Sequence, residues 1–258
     1  MARRRAPAPI SILGLPVYPV DLKSTLVTVS AWIEDSRRLE SDTSTKPVLH
    51  QIVTLNPEIV MSAQRDCEFA SILRSTDLSV ADGTGIVWAA RRHGHKLARV
   101  TGVDLLERAA ELAAEHKYQL FLLGAAPGIA AAAARTLGER HPGLLPVGTF
   151  SGSPDREAQT VILALLTQKR PDILFVAFGS PAQERWIAGL RKELGSAGVS
   201  VAIGVGGAFD TISGRVPRAP NWMRHVGLEW LYRLLRQPWR WRRMLALPRF
   251  ALAVWRTF

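Results

Sequence analysis

The sequence predicts an α/β fold: a Rossmann-like, mostly parallel sheet with helices on both faces, followed by a C-terminal helical appendage. Three observations predict it. Short apolar runs alternate with stretches of helical periodicity along most of the 258 residues. Two of the runs, ILFVAF and VSVAIGV, are apolar almost without interruption, as strands buried on both faces are. Five of the runs end in glycines or small polar residues, at the strand tips where sheets of this kind bind ligands.

The elements follow in order. Ile10–Leu13 is a short apolar strand, and Leu22–Arg37 repeats apolar residues at helical spacing. Residues 36–46 (SRRLESDTSTK) are a polar surface loop. The strand Gln51–Leu55 stops at Asn56-Pro57, a turn signal, and the helical pattern Glu58–Leu73 comes next. The strand Leu78–Ala81 runs into Asp82-Gly83-Thr84-Gly85. Helix Val103–Lys117 precedes the strand Gln119–Leu123, which ends on Gly124. The alanine-rich stretch Ile129–Arg140 is a helix, Leu145–Thr149 a strand and Arg156–Lys169 a helix. The strand Ile173–Ala177 leads to Gly179-Ser180-Pro181-Ala182-Gln183-Glu184 and the helix Ala182–Leu194. Val201–Val205 is the last strand and opens into Gly206-Gly207-Ala208-Phe209-Asp210. Residues 1–214 form the body on this reading, and residues 215–258 a basic, tryptophan-rich, membrane-associating appendage.

The charge is unevenly placed. The chain carries a net +11, yet from Arg215 onward ten arginines accompany one acid, Glu229. Residues 1–214 therefore hold only +2, and Arg3, Arg4 and Arg5 alone supply more than that. A single cysteine, Cys67, excludes a disulfide framework within the chain and fits a reducing compartment. Prolines at positions 7, 9, 16 and 19 break the basic-then-apolar start, so no cleaved signal is expected. No run approaches the ~20 apolar residues that span a bilayer.

Asp82 sits in VADGTG, where a carboxylate could take a proton from a hydroxyl nucleophile. The same residue could instead cap the following helix. Gly83 and Gly85 would let the backbone turn tightly and let a ligand approach. Thr54 and Asn56 flank the same mouth, as sugar-orienting groups or as turn residues. Arg99, in RVTGVDLL, is a partner for a diphosphate or a solvated surface group. Gln183 and Glu184 open a helix, where an amide can bridge two ligand oxygens and an acid favours the dipole. GVGGAFD is only half of a dinucleotide fingerprint, because Phe209 stands where its third glycine belongs and no clear helix follows. The glycines of LLGAAPG do not complete one either, which argues against a nicotinamide-dependent oxidoreductase. A Walker loop, HExxH and an Asp-x-Asp pair are all absent, so neither a metal nor another cofactor is expected.

Taken together, TLNPEIV, ADGTGIVWAAR, RVTGVDLL, LFLLGAAPG, PDILFVAFGSPAQERWI and GVGGAFDTISGRVPRAPNWMRHVGLEWLYRLLRQP resemble the WecG/TagA/CpsF glycosyltransferases. They run in family order from about residue 50 to 238. The resemblance implies transfer of a sugar from a UDP-sugar to a polyprenyl-diphosphate-linked saccharide, in cell-surface polysaccharide synthesis. It implies inversion at the sugar, no bound metal, and a peripheral position on the cytoplasmic face of the inner membrane. Asp82 matches the family's general base, and Thr54, Asn56, Arg99 and Gln183 its polar pocket. Gly206, Gly207 and Asp210, with Gly204 beside them, match its uridine region. Gly83, Gly85, Gly124, Glu184 and Arg215 complete the candidate substrate-binding set. The sugar is N-acetylmannosamine, its uronic acid or glucose; the motifs do not separate these.

The tail fits that setting. Leu228, Leu231, Tyr232 and Leu235 recur at helical spacing, and Pro238 interrupts the helix. Trp239, Trp241 and Trp255 interleave with Arg240, Arg242, Arg243 and Arg256, a composition suited to an anionic membrane surface. Each basic residue near such a surface is worth about 1 kcal/mol. A non-enzymatic membrane adaptor is the rival reading. Nucleic acid is not an expected partner, since the near-neutral body carries no nucleic-acid module. A homo-oligomer is compatible with the sequence, which fixes no stoichiometry. A departing diphosphate needs positive charge, and Arg215, Arg218, Arg224 or Arg233 could supply it.

Overall fold

The structure is a computed structural model that describes residues 7–40, 48–145, 147–238 and 241–257. Arg3 to Arg5, residues 41–46 of the expected loop, Trp239 and Arg240 lie outside them. Two sheets are formed. β1 (Ile10–Ile12) and β2 (Leu15–Val17) make an antiparallel hairpin. The main sheet has six strands: β3 (His50–Leu55), β4 (Leu78–Ala81), β5 (Leu120–Gly124), β6 (Gly148–Phe150), β7 (Ile173–Ala177) and β8 (Val201–Gly204). Their order is β4-β3-β8-β7-β5-β6, and every pairing is parallel. This is the α/β, Rossmann-like architecture expected.

Wholly buried strands explain the apolar runs. Every residue of β4, β5, β7 and β8 is buried, because helices cover both faces. On one face Val29, Ile33, Val103, Leu106, Ala109 and Phe209 pack against the sheet. On the other, Ile162, Leu166, Trp186 and Leu194 pack over the β5–β7 half. The β3–β4 half of that side is covered by the hairpin and by residues from three helices, including Ile59, Phe69 and Ile86. From β3 the chain steps outward to β4, and from β5 it steps the opposite way to β6. Divergent connections of this kind open a crevice at the carboxyl ends of the strands.

Several elements differ from the sequence reading. The expected strand Ile10–Leu13 is half of a hairpin whose second strand, around Pro16, carries no strand-like run. The helix Leu22–Glu40 continues through residues assigned to the loop. The single helix expected over Glu58–Leu73 is two, Pro57–Ala63 and Cys67–Arg74. They part at Asp66, whose carboxylate accepts the Phe69 N–H at 2.9 Å and restarts the helix. Ala182–Gly189 and Arg191–Ser196 likewise replace one longer helix. The helix expected after VADGTG runs Thr84–Arg92, and a short one, Ala208–Ile212, does follow GVGGAFD, where none was expected.

Residues 215–258 fold into the helices Asn221–His225, Glu229–Arg236, Trp241–Met244 and Ala246–Trp255. The last of these returns to the body. Phe250 is 2% exposed and Val254 is wholly buried, both in the cluster that holds Ile12, Val53, Ile59, Val60 and Ile86. Beyond position 214 the chain thus supplies part of the body's own core. Among the described residues no helix is long and apolar enough to cross a membrane.

Candidate active site

Two adjoining cavities open where β3, β4, β7 and β8 end. The larger, about 780 Å³, is bounded by Thr54, Gln183, Gly206, Gly207 and Asp210 and roofed by the C-terminal helices. The smaller, about 150 Å³, lies between Gly83–Gly85, Arg99, Thr101 and the helix Glu229–Arg236. Asp82, Asn56 and Arg233 line both. The larger matches the size of pockets that hold a whole organic ligand, whereas the smaller falls below it.

Asp82 is placed by the sheet. Its N–H donates to the Leu55 carbonyl at 2.8 Å, which continues the β3–β4 ladder one residue past β4. The capping alternative is not realised: Thr84–Arg92 starts from Gly83 without a side-chain cap. Gly83 holds φ +91°, a conformation open to glycine, and turns the chain sharply after the carboxylate. Burial pushes the Asp82 carboxyl up to about 7. Arg233 opposes that rise, Glu229 adds to it, and Arg99 and the Gly102 N–H oppose it. A carboxyl of this kind changes protonation near neutrality, as a general base must.

Around it the expected residues take distinct places. Thr54 is buried and donates its Oγ1 hydrogen to the Gly204 carbonyl at 3.1 Å, joining β3 to β8. The Asn56 Oδ1 caps the helix Pro57–Ala63 through the Ile59 N–H at 3.0 Å, so the residue has a local structural role while it lines both cavities. Arg99 is not a solvated surface group. It lines the smaller cavity and pairs with Glu229 at 3.5 Å.

Gln183 is 2% exposed, and its Oε1 accepts the N–H groups of Gly179 at 3.2 Å and Gly206 at 3.1 Å. One amide thus clamps the loops after β7 and β8. Gly204 must be glycine-sized, since a Cβ there would lie 2.6 Å from the Gln183 amide nitrogen.

Four expected site residues, Gly204 among them, line neither cavity. Glu184 is fully buried behind Gln183, whose Nε2 donates to it at 2.7 Å; burial pushes its carboxyl up and it lines neither cavity. Gly124 lines neither cavity and packs behind Ala177 and Phe178, which border the larger one. Arg215 is exposed, lies 3.9 Å from the Asp210 carboxylate and does not itself line the cavity that Asp210 borders. Gly85 adjoins the smaller cavity, but its lack of a side chain makes room for protein: a Cβ would stand 2.6 Å from Pro57 Cγ.

The cationic groups are also redistributed. Arg218 and Arg224 are held by Asp104, at 2.5 and 3.4 Å, and line neither cavity. Arg233 lines both, and Arg242, Arg243 and Arg249 join Arg65 around the larger one. Arg65 and Arg249 were not singled out in the sequence; no motif marks them, and only the folded tail brings them together. Glu58 was missed as well; it faces both cavities and pairs with Arg243 at 3.6 Å. Among the described residues no three His, Cys, Asp or Glu side chains converge as metal ligands.

Comparison with known proteins places this arrangement. A family model described as "Glycosyl transferase WecG/TagA/CpsF family" matches residues 10–258. A protein of Bacillus subtilis named N-acetylglucosaminyldiphosphoundecaprenol N-acetyl-beta-D-mannosaminyltransferase is 36% identical over 204 residues, 79% of this chain and 78% of its own. A protein of the same name from Bacillus spizizenii is 38% identical over 206 residues, 79% of this chain and 77% of its own. Another from Staphylococcus aureus is 33% identical over 244 residues, covering 94% and 91%.

Proposed function

From the premise that this chain belongs to the WecG/TagA/CpsF family of glycosyl transferases, we propose that it moves N-acetylmannosamine from UDP to the N-acetylglucosamine of a diphosphate-linked polyprenol. The relatives' names support both the sugar transferred and the acceptor. The observation that carries the mechanism is Asp82, at the junction of two cavities, with a carboxyl that titrates near neutrality.

The UDP-sugar occupies the larger cavity on this reading. Gly206, Gly207 and Asp210 face the nucleotide, and the Gln183 clamp fixes the loops that carry them. The acceptor hydroxyl approaches Asp82 and gives it a proton as its oxygen attacks the anomeric carbon. The bond from that carbon to the β-phosphate oxygen breaks, and its electron pair leaves with UDP. Attack from the face opposite the departing diphosphate inverts the sugar. Arg65, Arg233, Arg242, Arg243 and Arg249 supply positive charge where negative charge develops. These arginines support a reaction without a metal.

The acceptor is a lipid, so the site works at a membrane surface. Trp222 is 63% exposed, Trp255 66% and Leu235 70%, and Trp241 is also exposed. All four lie on the C-terminal helices that roof the site or adjoin it, among arginines, which suits a peripheral hold on anionic lipid. We place the protein on the cytoplasmic face of the membrane.

The test is a panel of UDP-sugars offered with an N-acetylglucosaminyl lipid diphosphate, scored by UDP release and by product mass. Release with UDP-N-acetylmannosamine, dependent on acceptor and persisting in excess chelator, is the expected result. Turnover with another UDP-sugar alone would overturn the donor assignment, and turnover abolished by chelation would overturn the metal-free chemistry.

A further inference from the structure

Glu229 opens the helix Glu229–Arg236, and its side chain is only 16% exposed. Its two carboxylate oxygens have different partners: Oε2 lies 3.5 Å from Arg99, and Oε1 lies 4.0 Å from Arg233 one turn along the helix. Arg99 belongs to the body. The next residue, Val100, donates its N–H at 2.8 Å to the carbonyl of Ala81, the residue that precedes Asp82. The start of the helix has a second tie, from the Thr84 hydroxyl to the Gly227 carbonyl at 3.4 Å. One carboxylate therefore joins a body arginine to a tail arginine at the mouth of the smaller cavity.

Both arginines share that cavity with Asp82. Among the described residues, however, Asp82 forms no ion pair within 4.0 Å. A guanidinium in contact would lower the basicity of the Asp82 carboxylate and occupy the oxygens that must receive the proton. On the reading that Asp82 is the general base, we propose that Glu229 is a positioning residue that bridges Arg99 and Arg233 and keeps both guanidinium groups off the Asp82 carboxylate.

The other groups around Asp82 do not duplicate this role. Asn56 and Glu58 face it from the helix Pro57–Ala63; the first caps that helix and the second pairs with Arg243. Gly102 presents its N–H from the start of the helix Gly102–His116. Asp210, from Ala208–Ile212, pairs with Arg215, while Arg242, Arg243 and Arg249 border the far cavity. Only burial favours the protonated carboxyl more than Glu229 does; Arg233 and Arg99 act against it.

The experiment reads Asp82 directly. The full chain is labelled with carboxyl-¹³C aspartate, and the Asp82 resonance is identified by its loss in Asp82→Asn. In Glu229→Gln the titration midpoint of Asp82 is expected to fall by ~1 pH unit, as loss of a like charge and gain of an arginine contact require. The acid limb of kcat/KM moves the same way, and Glu229→Asp restores part of both shifts. An unmoved midpoint in Glu229→Gln overturns the proposal, including the case in which thermal stability drops because the helix has merely loosened. The titration needs no turnover. Absence of transfer from every donor would count against the proposed reaction, while the midpoint would still decide the role of Glu229.

Discussion

Replacing Asp82 by asparagine is expected to stabilise the protein while disabling it. The carboxyl is lifted from 3.8 to about 7, chiefly by burial. Each pKa unit corresponds to about 1.36 kcal/mol, so the ionised group costs the folded state at most about 4 kcal/mol. Asp82 borders open cavities, which water can enter, and a gain of about 1–3 kcal/mol on removing the charge is the working figure. Between the unfolded and folded pKa values the folded protein binds more protons than the unfolded one. Wild-type stability is therefore lost as pH rises from about 4 to about 7 and changes no further from this group above that.

The advantage of Asp82→Asn should follow the inverse course: near zero at pH 4 and full at pH 8. At 2–4 °C per kcal/mol for a chain of this size, the melting temperature rises by about 2–12 °C at pH 8. Transfer falls by at least ~100-fold, the usual worth of a general base. Thermal melts of both proteins from pH 4 to 8, with UDP release at pH 8, measure both effects. A stability difference that is absent or constant across that range would refute the raised pKa of the Asp82 carboxyl. Near-normal transfer would refute its role as base.

Three further substitutions test the frame around it. Phe250→Ala empties a site in the core beside Gly85 and should cost about 3–5 kcal/mol in chemical denaturation, a loss an unattached tail could not cause. Gln183→Ala leaves the Gly179 and Gly206 N–H groups without their acceptor; KM for the UDP-sugar in steady-state assays should rise by about tenfold, the equivalent of roughly 1–2 kcal/mol. Gly85→Ala puts a methyl group 2.6 Å from Pro57 Cγ, and overpacking of about 1–3 kcal/mol should lower the melting temperature at every pH alike.

Much of the sheet was legible because buried parallel strands leave continuous apolar runs, as in β7 and β8. The strand tips were legible too, since Thr54, Asn56, Asp82 and Gly206 each end such a run. Local chemistry that interrupts a pattern was harder to see. Asp66 restarts a helix within an unbroken apolar period, and the proline-bearing β2 shows no strand run at all. The tail was ambiguous for a deeper reason. Phe250 and Val254 are one helical turn apart, a spacing that serves a protein core or a lipid surface equally, and only packing against Ile59 and Ile86 decides between them. Arg242 and Arg243 read as part of a membrane-facing cluster in one dimension and border the cleft in three.

The return of the helix Ala246–Trp255 has a consequence for how the molecule is made. Phe250 and Val254 are synthesised after every residue they cover, including Ile12, Val53, Ile59 and Ile86. A nascent chain can pair all its strands and still present that oily flank to its surroundings until the closing helix arrives. Before that moment the chain is sticky and the cleft has no roof, so one helix both covers the oily flank and closes the site.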